Sequence, residues 1–255
     1  MTSEKYEALL TVALDIGRTM LVCGAEIYRV EDSFTRIVTA YGGENVHVNA
    51  VPSHIIAGVT FEGREYTGTR RISATSTDME LLDKLNALSR RICAEKPDSE
   101  EIRSQLNSFK GMKKYTDAER SLHYALTSGA FTLFFGGGAL DAAISALIGG
   151  SLVWLIRLIT KLGGNKVFVA LIGSAFSAFL AKVGVHFGFG TDTDKIIIGV
   201  IMVLIPGVEL LNGIRDFVSG DIQAGIMHIS EAIFLAVTIA VGAAGMLMLA
   251  ARLGL

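Results

Sequence analysis

An α-helical, polytopic membrane protein of about five transmembrane helices, preceded by an N-terminal α+β domain, is the fold class that three features of this sequence predict. Residues 121–255 carry one apolar run after another, each close to the roughly 20 residues a helix needs to cross hydrocarbon. Residues 1–120 carry no such run. Of the 23 basic and 25 acidic residues, only 14 follow Arg120. The 51% hydrophobic content and the mean hydropathy of +0.48 therefore average a polar part with a very apolar one. The expected division is a cytoplasmic domain over 1–115 and a transmembrane domain over 116–255.

The first half reads as helices flanking a small sheet. Tyr6, Leu9, Leu10, Ala13, Gly17, Met20 and Leu21 recur at helical spacing, and a second helix is expected over about 25–41, with Ile27, Val30, Phe34, Ile37 and Val38 inward and Gly42-Gly43 ending it. The period then changes to two. Val46, Val48 and Ala50, then Ile55, Ala57, Val59 and Phe61, alternate as half-buried strands do, and Glu62-Gly63 turns into a third strand near 65–72, with Pro52 at a strand break or edge. Thr77 with Glu80 predicts a capping box before a helix bearing Met79, Leu82, Leu85, Leu88 and Ile92. Asp98 with Glu101 marks a further start ahead of Ile102, Leu106 and Phe109, and Thr116 with Glu119 opens the helix that leads into the apolar half.

In that half, spans are expected at about 121–137, 140–159, 167–187, 196–212 and 226–251. Lys110, Lys113, Lys114 and Arg120 precede the first, the 157–166 connection is basic, and the 191–194 connection is acidic. The positive-inside rule then places the N-terminus in the cytoplasm and the C-terminus outside. Gly173, Ser177 and Ala181 lie four apart, as do Gly184 and Gly188, a spacing that lets helices approach closely. Five spans in one chain cannot form two equal inverted repeats, so either a homo-oligomer or a second membrane chain is expected.

Composition removes several function classes. A net charge of −2, with Lys and Arg interleaved among acids, offers no basic face for nucleic acid. Cys23 and Cys93 sit in apolar helical patterns without metal-type spacing and read as buried, reduced thiols; no metal or other cofactor is implied. The polar start through Lys5, followed by Glu7, Asp15 and Arg18, does not read as a signal peptide. Ser53 and His54, as strand neighbours, are expected to point to opposite faces and so not to form a nucleophilic pair. No Gly-x-x-x-x-Gly-Lys-Ser/Thr motif is present, which argues against direct nucleotide use.

The chemistry-bearing stretch is 204–216. Pro206 followed by Gly207 opens the hydrogen-bond ladder inside an apolar run. Glu209, Asn212 and Asp216 then share one helical face, with Arg215 close by, and polar groups at such a depth usually mark a pathway or site. The bland reading is that the span ends at Gly207 and these groups form a hydrated loop. Substrate binding is expected at Pro206, Gly207, Glu209, Asn212, Arg215 and Asp216. His228 and Glu231, on one face at the start of the last run, are candidates for proton coupling or for an interfacial helix end. Asp141, after the triple glycine, is a third coupling candidate or an exposed loop aspartate. In the first half, the segment Gly24-Ala25-Glu26-Ile27-Tyr28-Arg29-Val30-Glu31 reads as a helix start with Arg29 in local ion pairs.

This order of features, with residues 24–31, Pro206-Gly207, Asn212-Gly213-Ile214-Arg215-Asp216 and Ser219-Gly220-Asp221, resembles the threonine/serine exporter (ThrE) family over nearly the whole chain. The resemblance implies a subunit of the split, YjjP type in a bacterial inner (plasma) membrane, paired with a smaller YjjB-type membrane protein. It further implies export of a small carboxylate: threonine and serine, or succinate for the split pair. The alternative is a membrane-anchored sensor or enzyme whose cytoplasmic domain is the active part.

Overall fold

The computed structural model describes residues 3–73, 75–109 and 115–254. The basic cluster at Lys110, Lys113 and Lys114 lies outside the described residues. By its contacts the chain folds as two units: Met1–Lys113 with Gly207–Glu231, and Lys114–Pro206 with Ala232–Leu255. Beyond the stretch expected as the soluble domain, the first unit thus takes in a segment from far along the chain.

In the first unit, α1 (Ser3–Val22) and α2 (Ile27–Ala40) lead into an antiparallel sheet of β1 (Glu44–Val51), β2 (His54–Phe61) and β3 (Arg64–Arg71), in that order. The period-two pattern does what it predicts, since Ile55, Ala57, Val59 and Phe61 are all buried. Glu62 and Gly63 both have positive φ, 48° and 77°, which matches the right-handed twist of the strands they join. Gly68 on β3 lies under α1, where an added Cβ would stand 2.5 Å from Leu14. The inward faces of α1 and α2 meet Leu85, Leu88 and Ile92 of α3 (Met79–Glu95) and Ile102 and Leu106 of α4 (Ser99–Phe109) in one core. Two local expectations are corrected. The cap of α3 is Asp78, which accepts from the Leu81 amide, and Met79 on its first turn is exposed.

The second unit is helical. The Thr116–Glu119 capping box opens α5 (Asp117–Phe134), followed by α6 (Ala139–Lys161), α7 (Lys166–His186) and α8 (Thr193–Ile201). Among the described residues, three helices are long and apolar enough to cross a membrane: α6, α7 and α10 (Ile222–Arg252). The run at 121–137 begins in an 18-residue helix that ends at Phe134 and whose start carries Asp117, Glu119 and Arg120. The run at 196–212 is not one helix. Pro206 has no N–H for the Met202 carbonyl, and its ring crowds that group, so α8 ends at Ile201 and α9 (Gly207–Ser219) starts just after the proline. In place of a kinked span there are two helices assigned to different units.

Close helix packing is the theme of this unit, and glycine permits it. A Cβ on Gly149 would stand 2.1 Å from the Ser128 hydroxyl, and one on Gly199 1.9 Å from that of Thr132. Gly173, Ser177 and Ala181 are buried as their spacing predicts. Gly188, by contrast, lies beyond the end of α7 at φ +78°, where it serves a turn and not a helix contact.

Candidate functional site

Within the first unit, α9 and the first turns of α10 bring the polar residues at 209–231 against the turn between α1 and α2. The inward face of α9 carries Asn212, Gly213 and Asp216, all buried, as the three- and four-residue spacing requires. Asn212 Nδ2 donates to the Gly24 carbonyl at 3.1 Å. Arg215 pairs with Glu26, a contact spanning 189 residues of sequence; Glu26 is 7% exposed, while the arginine is half exposed. The Tyr28 hydroxyl also bonds to Glu26, which raises the phenol pKa above its ordinary value.

Among the described residues, the acids of 24–31 find their partners away from Arg29. Glu26 reaches Arg215, Arg29 is exposed, and Glu31 accepts the Ala50 amide of β1 at 2.7 Å. Burial pushes the Glu31 carboxyl above the usual range, against the pull of that amide, and Asp221 pushes in the same direction. Asp221 is itself raised, by burial first and by Asp216 second. Three carboxylates from α2, α9 and the α9–α10 turn thus share one neighbourhood.

Asp216 is fully buried. Its Oδ2 lies 2.8 Å from His228 Nδ1, and its Oδ1 is buried with no hydrogen-bond partner. A cavity of about 70 Å³ adjoins this cluster, bounded by Leu21, Gly24, Ala25, Pro52 and Thr75–Thr77, and by Val208, Glu209, Asn212, His228 and Glu231 from the distant segment. Of the residues expected to bind substrate, Glu209 and Asn212 border the cavity. Arg215 and Asp216 stand on the same helix without lining it, and Pro206 and Gly207 act through the helix start they create.

The second unit places Asp141 in the first turn of α6, and it is not an exposed loop aspartate: it is fully buried. Its Oδ2 accepts the Gly138 amide and the Thr191 hydroxyl, and its Oδ1 accepts the Thr191 and Asp192 amides, all within 2.6–3.2 Å. The carboxylate ties the α5–α6 turn to the α7–α8 connection. Sequence reasoning missed a second buried polar group here. Thr132 donates to Ser145 at 2.6 Å, and Ser145 lies 3.2 Å from the Ser128 carbonyl. The available signal was Ser128 and Thr132, four apart in an apolar helix.

Other groups are placed less productively. Ser53 Oγ stands 3.0 Å from His54 Nδ1, contrary to the expected opposite facing, because Ser53 lies in the β1–β2 turn and not on a strand; the contact is exposed. Cys23 and Cys93 are free thiols, and burial pushes Cys23 up to about 11 and Cys93 in the same direction, so both stay protonated near neutrality.

Residues 11–250 match the model of the family described as "Putative threonine/serine exporter" (ThrE). The chain is 23% identical over 243 residues to the "Probable threonine/serine exporter" of Mycobacterium tuberculosis (strain ATCC 25618 / H37Rv), a match covering 92% of this chain and 45% of that protein. It is also 23% identical over 255 residues to the "Probable succinate transporter subunit YjjP" of Escherichia coli (strain K12), covering 95% of this chain and 94% of that one. The chain thus spans less than half of the first relative and nearly all of the second. No solved structure matches.

Proposed function

We propose, from the premise that this chain belongs to the threonine/serine exporter family, that it is one subunit of a bacterial inner-membrane secondary exporter of small carboxylate metabolites. Threonine, serine and succinate are the candidate substrates, following the names of its relatives. A second membrane subunit of the YjjB type completes the transporter. The length relation supports this, because one relative is more than twice the matched stretch and the other is a subunit of nearly the same length.

The observation that carries the reading is the pairing of Asn212 with Gly24 and of Arg215 with Glu26, next to the Asp216–His228 contact and a cavity that Asn212 and His228 line. At about 70 Å³ that cavity is well below the roughly 300 Å³ of small ligand clefts. It represents a closed state, and admission of a metabolite requires part of its wall to move. Arg215 is the group for the substrate carboxylate: half exposed, it can exchange the carboxylate of Glu26 for that of the substrate through charge-assisted hydrogen bonds.

The proposed orientation has the N-terminus in the cytoplasm and the C-terminus outside. Residues 207–231 belong to the same unit as the N-terminal helices, which supports a shared side of the membrane, and the basic residues before the first apolar run favour the cytoplasmic side. From there α10 is long enough to cross once, which sends the C-terminus outside. Three crossings and five both satisfy this; five is the count favoured here, with α5 and the α8 region supplying the other two. A C-terminal phosphatase fusion should be active and a C-terminal green fluorescent protein fusion dark. The reverse pattern means an even number of crossings.

The function itself is tested by flux of labelled threonine, serine and succinate in vesicles, with and without a pH gradient. The chain with its YjjB-type partner should transport at least one of them in response to the gradient, and the chain alone should transport little, since an odd set of spans has no internal repeat to alternate against. Full transport by the purified chain would replace the heteromer with a homo-oligomer. No transport by the pair, with activity retained in residues 1–115 alone, would move the function to the cytoplasmic domain.

A further inference from the structure

We infer that Asp216 and His228 together form a proton-binding site, a buried carboxylate–imidazole pair that carries one negative charge when it holds one proton and none when it holds two. The inference gives the coupling step of the exporter reading its residues, but the proton chemistry it claims can be read without transport.

The geometry is built for contact between these two groups. Gly220, at φ +92°, turns the chain between α9 and α10, and the Asp221 amide closes the turn on the Asp216 carbonyl at 2.9 Å. Glycines then let the two helices touch. A Cβ on Gly213 would stand 2.8 Å from Ile229 and 3.2 Å from His228 Cβ, and one on Gly225 would stand 3.1 Å from the Gly213 carbonyl. At this separation Asp216 Oδ2 and His228 Nδ1 meet at 2.8 Å, with Asp216 fully buried and His228 9% exposed.

With one proton, Nδ1–H donates to Oδ2 and the pair is an anion. Its Oδ1, buried and without a hydrogen-bond partner, then has nothing to offset the loss of water, an expensive condition for a carboxylate. A second proton, on Nε2, neutralises the pair and converts the contact to an internal ion pair.

The charged groups packed around the pair are mostly acidic. Asp221 and Glu31 are acids of the same neighbourhood, each raised above its ordinary range by burial first, with Asp216 adding to the shift of Asp221 and Asp221 to that of Glu31. Glu26 is engaged by Arg215, and Arg29 is exposed. Glu209 and Glu231 border the cavity that His228 also lines. Acids outnumber bases around the pair. Because His228 lines the cavity beside Asn212, the charge of the pair is felt where the substrate is proposed to bind.

The test is nitrogen NMR of the full-length protein, labelled at its five histidines and held in lipid nanodiscs, with His228→Gln assigning the His228 signals. The wild type should show His228 as the Nδ1–H tautomer at high pH and a second proton on Nε2 after acidification. In Asp216→Asn the midpoint of that protonation should fall by about one pH unit or more, the size expected for removing a contacting carboxylate. Asp221→Asn and Glu31→Gln, which leave the pair intact, should lower it by less, and they keep the test open if Asp216→Asn does not fold. A midpoint unmoved by all three substitutions, or a His228 that never titrates, overturns the proposal. Titration as expected in a protein that transports none of the three metabolites upholds the proton site and rejects the exporter reading instead.

Discussion

Export by the Arg215→Ala and Glu209→Gln variants falls by at least roughly tenfold at near-normal membrane levels, the loss expected when a charge-assisted hydrogen bond of about 1.5–3 kcal/mol is removed from a binding step. The two residues act differently. Glu209 borders the cavity one turn ahead of Asn212, so its neutralisation changes the charge met by an entering substrate. Arg215 stands at the edge, holding Glu26. Its removal has two consequences that must be separated: a substrate carboxylate loses its partner, and Glu26, only 7% exposed, is left as a buried charge without its counterion. The double variant Arg215→Ala/Glu26→Gln relieves the second and not the first. Flux measured across a range of substrate concentrations should therefore stay low in the double variant. Recovery of export there would make Arg215 a counterion for Glu26 and nothing more, and wild-type rates in both single variants would remove this face of α9 from the transport path.

How far the sequence reached this cluster depends on which physical rule governed each part. Helical spacing placed Asn212 and Asp216 on one face, and the structure buries both. Strand alternation placed Ile55, Ala57, Val59 and Phe61 inward, because period-two burial is a local property of the chain. Local rules could not reveal that Glu26 meets Arg215 or that Gly24 receives Asn212, since those pairs are 189 and 188 residues apart. The same holds for the span count. Hydropathy sees 196–212 as one apolar stretch, whereas backbone chemistry at Pro206 divides it, and the helix that follows packs with a polar unit. Asp141 shows the opposite failure. An acid after three glycines looks like a loop residue, and only the folded α7–α8 connection, 50 residues on, supplies the donors that bury it.

Asp141→Ala is expected to cost the most stability of any single polar substitution in the helical unit. Its carboxylate serves four donors: the amides of Gly138, Thr191 and Asp192 and the hydroxyl of Thr191. Each buried donor left unsatisfied costs about 1–3 kcal/mol. Part of this is recovered because a charge no longer has to be buried, so a net loss of about 3 kcal/mol is reasonable. At about 2–4 °C per kcal/mol for a chain of this size, the melting temperature should fall by roughly 6–12 °C. Asp141→Asn separates this role from proton coupling. The retained oxygen still serves the Thr191 and Asp192 amides, and the Thr191 hydroxyl can rotate to accept from the new amide, leaving the Gly138 amide as the main loss. Its melting temperature should fall by less than half as much, and gradient-driven flux with the partner subunit should persist. If Asp141→Asn instead melts like the wild type yet loses its response to the pH gradient, the carboxylate is a proton carrier and the clamp is its housing. If Asp141→Ala melts like the wild type, the four hydrogen bonds contribute nothing net, and the link between the α5–α6 turn and the α7–α8 connection must reside in the helix packing around Gly149 and Gly199.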